Sequence, residues 1–248
     1  MIELRHPNDS YALVNPAGAY VESWADANGA ELLFARRDMP NGKNRGGIPL
    51  CAPIFGPGET VGLSQHGFAR NCTWTVHTQT ESRVTLSLDD PAAQVESLPP
   101  VYAGCSMDLA IELEENSLRE TLTIRNIGVE SFTLNPAFHP YFPITDGQSA
   151  TDARVTIDGQ TYQCSAEELL ATRKIDSIAA AAQLQLGQRA WSIAGDGLPL
   201  FALWSESDTD FLCVEPTESG YLTDNPASEL QPSQTKTVAM TISFRPTA

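Results

Sequence analysis

The run Leu118-Arg119-Glu120-Thr121-Leu122-Thr123-Ile124 alternates apolar and polar residues with a period of two, and Val238 to Phe244 (VAMTISF) repeats the pattern late in the chain. Successive side chains of an extended strand point to opposite faces, so this alternation marks strands with one face buried and one in water. Tyr11 to Val14, Thr73 to His77, Arg83 to Leu88 and Arg154 to Ile157 read the same way. Turn formers punctuate them: Asn15-Pro16, Asn28-Gly29, Asn41-Gly42, Pro57-Gly58, Asp158-Gly159 and Gly195-Asp196-Gly197. Many short strands with frequent turns predict an all-β fold, an antiparallel β-sandwich formed as a single domain by residues 1–248. One stretch, Ser165 to Leu184, is helix-like. Ser165 is placed to cap it, and Glu167 and Glu168 occupy its first turn, but only AEELLATRK carries the pattern well.

Composition narrows the classes of function. A net charge of −16 repels nucleic acid and anionic lipid surfaces, so neither is an expected partner. MIELRHPNDSYALV lacks an apolar core behind a basic start, and no stretch approaches the apolar length of a membrane span. The expectation is a cytoplasmic protein, a monomer or weak homodimer, acting on a small molecule. Cys51, Cys72, Cys105, Cys164 and Cys213 are odd in number and scattered without a Cys-x-x-Cys pair, which predicts buried free thiols rather than a disulfide framework or a zinc site.

Four segments carry chemistry. RGGIPLCAPIFG (Arg45 to Gly56) is rich in Gly and Pro, a composition that shapes backbone closely around a ligand. QHGFARN places Gln65, His66, Phe68 and Arg70 around one glycine. Amide and imidazole suit paired sugar hydroxyls, an aromatic ring suits the C–H face of a sugar, and a guanidinium suits an anion. A histidine satisfying a turn is the competing reading of His66. NPAFHPYF holds His139 between two prolines and among three aromatics, where it is either a satisfied core residue or a shielded acid. In FLCVEPTES, Glu215 ends an apolar run before Pro216. Such a carboxylate is either exposed at a strand end or partly desolvated, with its pKa raised toward the range of a useful base.

Taken together and in this order, the segments resemble the aldose 1-epimerase group of the galactose-mutarotase-like superfamily, and in particular its hexose-6-phosphate 1-epimerase branch. The resemblance runs from PAGAYVESW (Pro16 to Trp24) through RGGIP, QHGFAR, HPYF and CVEP to LQPSQTKTVAMTISF. It implies a β-supersandwich in which His139 is the acid at the ring oxygen, Glu215 the base at the anomeric hydroxyl, and His66 a further pocket histidine. Ser233 departs from a usual Gly and Ala171 from a common Pro, and no Asp matches the one that often binds sugar hydroxyls. Interconverting anomers needs one proton removed from the C1 hydroxyl and one delivered to the ring oxygen, which requires no cofactor or metal. No His-x-His or His-Glu-x-x-His spacing is present. Arg45 and Arg70, with Lys43 nearby, are the candidate ligands of a 6-phosphate, with structural ion pairs as the alternative. A neutral aldose substrate and a non-catalytic carbohydrate-binding module are the competing functions.

Overall fold

Nine of the strands form one antiparallel sheet. Its spatial order is Gln160–Tyr162, Arg154–Ile157, Ala181–Leu186, Arg189–Asp196, Thr235–Pro246, Ser117–Asn126, Cys105–Leu113, Arg83–Leu88 and Thr75–Gln79. The computed structural model describes residues 1–145, 147–207, 209–223 and 227–246, and every count here refers to those. A second sheet runs Arg173–Asp176, Leu200–Trp204, Phe211–Thr217, Ala137–Phe138 and Leu50–Cys51, with Tyr141–Pro143 also paired to Phe211–Thr217. The two sheets face each other in the antiparallel sandwich that the alternation predicts. Phe142 of the smaller sheet meets Trp191 of the larger at 5.4 Å between ring centroids.

Register explains the core. Leu122 lies opposite Leu109 on one side and Val238 on the other, and all three are at most 1% exposed. Each such side chain contributes roughly 1.5–3 kcal/mol of transfer free energy on burial. The same register carries Glu120 to the inner face between Ile111 and Met240, fully buried, with neither carboxylate oxygen bonded to any described residue. Burial pushes its carboxyl well above the ordinary range.

Three expectations are corrected. The helix covers only Ala166–Leu170. Ser165 Oγ accepts from the Glu168 N–H at 3.2 Å, while the Ser165 N–H donates to Glu168 Oε2 at 2.9 Å. Thr172 then adopts a left-handed backbone, and Ala181–Leu186 buries alternate residues as a sheet strand, so tertiary packing overrides the helix propensity of the alanines. The strand expected over Thr73 to His77 is Thr75–Gln79, a sheet edge with every residue exposed. Trp74, just ahead of it, is the residue that enters the core, its Nε1 donating to the Ala69 carbonyl at 2.9 Å. Third, Glu215 does not end its strand, which continues through Pro216 to Thr217. All five cysteines are buried and unpaired, as their scatter predicts. No helix among the described residues is long and apolar enough to cross a membrane.

Candidate active site

The RGGIP segment is a rail for the site. A Cβ on Gly46 would lie 2.6 Å from the carbonyl oxygens of Phe34 and Ala35, and one on Gly47 would lie 2.2 Å from that of Val21. Only glycines pass this gap, both at positive φ. Beyond it, the Gly47 carbonyl accepts from the Tyr141 N–H at 3.0 Å and the Pro49 carbonyl from the His139 N–H at 3.1 Å. Phe138 and Phe142 then turn into the core, while His139 and Tyr141 face a groove on the outer side of the smaller sheet. Their rings stack almost parallel, 4.9 Å apart at 7°.

Glu215 reaches the same groove by strand alternation. Leu212 and Val214 point into the core, and Cys213 and Glu215 point the other way. Glu215 Oε2 lies 3.4 Å from His139 Nε2, with the two residues 1% and 6% exposed. The spacing is that of an ion pair, yet the surroundings favour a neutral pair. Burial, reinforced by His66 and Arg70, holds the imidazole well below its usual value. Burial also raises the carboxyl well above its own, against the opposing charge of Arg70. A single proton shared by the two therefore rests on Glu215.

His66 has a different character. Its Nδ1 accepts the Gly56 N–H at 3.1 Å, which places the ring proton on Nε2. Burial, followed by the charges of Arg70 and Arg45, lowers its pKa to about 3. The residue is thus a fixed neutral donor, edge-on to His139 at 5.6 Å between centroids.

Charge on the groove walls runs against the protein's general field. Arg45 and Arg70 both line the groove, and Glu215 is the only carboxyl group among its described lining residues. Arg45 Nη2 donates to Glu206 at 2.7 Å, and Lys43 holds the same carboxylate at 3.2 Å. Arg70 donates to the Gln65 carbonyl at 3.0 Å, with no carboxylate of a described residue within ion-pair distance. The groove encloses about 140 Å³ and opens to solvent on one side.

The family model for aldose 1-epimerase matches residues 1–234. The chain belongs to the aldose 1-epimerase family. A protein of Escherichia coli (strain K12) with the provisional name glucose-6-phosphate 1-epimerase is 32% identical over 164 residues, which are 64% of this chain and 52% of that protein. The chain thus spans about half the length of this relative. One from Cenchrus ciliaris with the same provisional name is 26% identical over 87% of this chain and 77% of its own length. The crystal structure of a galactose mutarotase-like protein from Lactobacillus casei superposes with a TM-score of 0.81 at 18% identity, covering 99% of this chain and 100% of that one, and so shares the fold.

Within this epimerase fold the groove gathers Arg45, Gln65, His66, Arg70, His139 and Glu215, six of the seven residues singled out from sequence. Phe68 is the exception. Its N–H bonds the Ala52 carbonyl at 3.0 Å, and its ring is 2% exposed, packed edge-on to Tyr102 at 6.2 Å in the core. The chain turns through QHGFARN, so Gln65, His66 and Arg70 reach the groove while Phe68 points into the core. The aromatic surface comes instead from Phe55, Tyr141, Trp204 and Tyr221, with Thr172 beside them. Phe55 and Tyr141 lie inside the quoted motifs, where an aromatic beside a candidate ligand was the available signal. Thr172, Trp204 and Tyr221 arrive by tertiary packing.

His139, Cys213 and Glu215 present donor atoms within 4.8 Å of one another. Zinc bonds of about 2.0–2.3 Å require tetrahedral edges of roughly 3.3–3.8 Å, so this span is too wide for a preformed site. Burial also pushes the Cys213 thiol well above its usual value, which withholds the thiolate. The set fits proton transfer better than metal binding.

Proposed function

We propose that the protein interconverts the α and β anomers of a hexose, with a hexose 6-phosphate as the preferred substrate, using His139 and Glu215 as acid and base. The buried pair at 3.4 Å carries this reading. O1 and the ring oxygen share C1, so a base at one and an acid at the other must lie close together. A sugar hydroxyl bonding the Glu215 carboxylate offsets its desolvation and lets the shared proton cross to His139. Glu215 then takes the O1 proton while His139 gives its own to the ring oxygen. The C1–O bond of the ring breaks and C1=O forms. After rotation about C1–C2, the freed hydroxyl adds to the other face with the two residues exchanging roles. The pair holds the same single proton before and after, and neither electrons nor a cofactor are consumed.

Arg70 supports the phosphate. C6 is bonded to C5, which carries the ring oxygen, so a phosphate on C6 falls near the group serving that oxygen. Arg70 acts electrostatically on both His139 and Glu215. The provisional names of the bacterial and plant relatives agree with this substrate. A neutral aldose is the second reading, favoured by the Arg45–Glu206 pair, which occupies one of the two arginines. Exchange NMR on freshly dissolved glucose and glucose 6-phosphate tests both readings. Arg70→Ala is expected to raise KM for the phosphate at least about tenfold, a loss of roughly 1.4 kcal/mol, with little change for glucose. Equal wild-type turnover of the two sugars removes the phosphate reading, and no turnover of either removes the epimerase.

A further inference from the structure

We propose that Glu206 is a specificity-determining residue: its charge, set in the wall behind Arg45, restrains the groove's preference for an anionic sugar and keeps neutral sugars acceptable. This deepens the epimerase reading and rests on it. Arg45 lines the groove beside Trp204, its guanidinium carbon 5.5 Å from a Trp204 ring centre. Glu206 is not among the lining residues; it faces a neighbouring cleft together with Ser205, Thr209 and Asp210. The carboxylate therefore acts on a bound sugar by its field and not by contact.

Three charged groups meet behind the lining. Arg45 Nη2 donates to Glu206 Oε1 at 2.7 Å, and Lys43 Nζ donates to the same oxygen at 3.2 Å. Two positive charges against one negative leave a single net positive charge, and without the carboxylate's charge there would be two. The hydrogen bond from Arg45 holds the Glu206 carboxyl below its ordinary value, so it is ionised at neutral pH. The Arg45 and Glu206 side chains are 21% and 14% exposed, so water screens the pair only in part.

The contact stops short of a fork. Guanidinium and carboxylate pair most strongly through two parallel bonds. Here one is made, while Arg45 Nε and Glu206 Oε2 are both buried without a hydrogen-bond partner among the described residues. Arg45 Nη1 goes to the Asn44 carbonyl at 3.2 Å. Arg45 is thus restrained by Glu206 without being saturated, and it remains a cation that a phosphate can use. A phosphate held by the guanidinium lies on the order of 7 Å from the Glu206 carboxylate, the span of two hydrogen bonds and the group between them. That is inside the screening length of about 8 Å at physiological salt, so the repulsion reaches the phosphate and spares a neutral sugar. The backbone of Glu206 is tied independently of its charge. Thr209 Oγ1 donates to the Glu206 carbonyl at 2.9 Å, and Ser205 Oγ donates to the Phe211 carbonyl at 2.9 Å.

The experiment measures kcat and KM for anomerisation of glucose and glucose 6-phosphate by wild type, Glu206→Gln, Glu206→Ala and Glu206→Asp. Glutamine removes the charge and keeps an acceptor for Arg45, alanine removes both, and aspartate keeps the charge. Glu206→Gln is expected to lower KM for glucose 6-phosphate at least about threefold, with KM for glucose and both kcat values within about twofold. Glu206→Ala should shift the ratio of the two KM values in the same direction, and Glu206→Asp should hold it within about twofold of wild type. The gain in Glu206→Gln should shrink as sodium chloride rises from about 50 to about 500 mM. Melting curves identify any variant that has not folded, and either uncharged variant alone suffices for the comparison. A KM ratio unchanged in a folded uncharged variant, or shifted equally by Glu206→Asp, overturns the proposal while leaving the epimerase intact. The ratio is defined whichever sugar the wild type prefers, so this failure is separate from failure of the phosphate reading. A wild-type protein inactive on both sugars overturns the underlying epimerase reading instead.

Discussion

Glu120 offers a direct measurement of what the sandwich tolerates. Its carboxyl is fully buried between Ile111 and Met240, without a partner for either oxygen among the described residues. Burial raises its pKa well above the ordinary value, so the folded chain retains a proton that the unfolded chain releases. The associated stability is complete below the ordinary carboxylate range and is lost as pH rises toward the folded value, at about 1.4 kcal/mol per pH unit. A second contribution is independent of pH: an unpaired buried polar group costs about 1–3 kcal/mol even when neutral. Two variants separate the contributions. Glu120→Gln keeps the polarity without the titration, and Glu120→Met removes both at similar volume. Urea unfolding followed by tryptophan fluorescence at pH 5, 6 and 7 reads them out, since Trp24 and Trp191 are each 1% exposed. Other titrating groups are common to all three proteins and cancel in the differences. The advantage of either variant over wild type is expected to grow from pH 5 to pH 7 by up to about 3 kcal/mol. Glu120→Met should exceed Glu120→Gln by about 1–3 kcal/mol throughout. Differences that do not change with pH would refute the protonated carboxyl, and a methionine variant weaker than wild type would refute the unpaired one.

Glu215→Gln and His139→Asn should each slow anomerisation at least about a hundredfold while leaving the unfolding transition in place, and near-normal turnover in either would reassign the proton transfers. Ser233 sits at φ 64°, so Ser233→Gly should raise stability by about 0.5–1 kcal/mol in chemical denaturation, and a loss would show that the serine side chain matters more than its backbone. Asn135→Ala removes the two bonds to Ser219 together with its bond to the Gly220 carbonyl, and should destabilise by about 2–4 kcal/mol in the same assay. A thiol reagent should find no reactive cysteine in the native protein and all five in urea, because every one is buried.

Period-two alternation made the large sheet legible, because burial on one face and water on the other leaves its mark in every second residue. The same reasoning overlooked the meaning of Glu120, whose place in LRETLTI breaks the apolar face at the position that the register buries. Motif chemistry found the floor of the groove: His139 and Glu215 lie in segments whose Pro and apolar neighbours already restricted water. It failed at Phe68, since composition cannot say which way a side chain leaves a turn. Thr172, Trp204 and Tyr221 stand in segments without distinctive composition, and only the folding of distant strands brings them to one wall. The depth of Glu215 within its strand was equally hidden, because a proline after an apolar run reads locally as an ending.

The groove joins a floor carried by strands to a rim carried by turns. His139 and Glu215 sit where sheet registers and core packing fix them, whereas Arg70 lies in a short 3₁₀ turn and Thr172 in the link between a helix and a strand. Substitution at the floor reaches the proton transfers directly, while substitution at the rim acts on what the groove holds. A laboratory selection for a new sugar would therefore collect its changes in a few surface segments and keep the reaction unaltered. Such changes would alter which sugar is held while His139 and Glu215 stay in place.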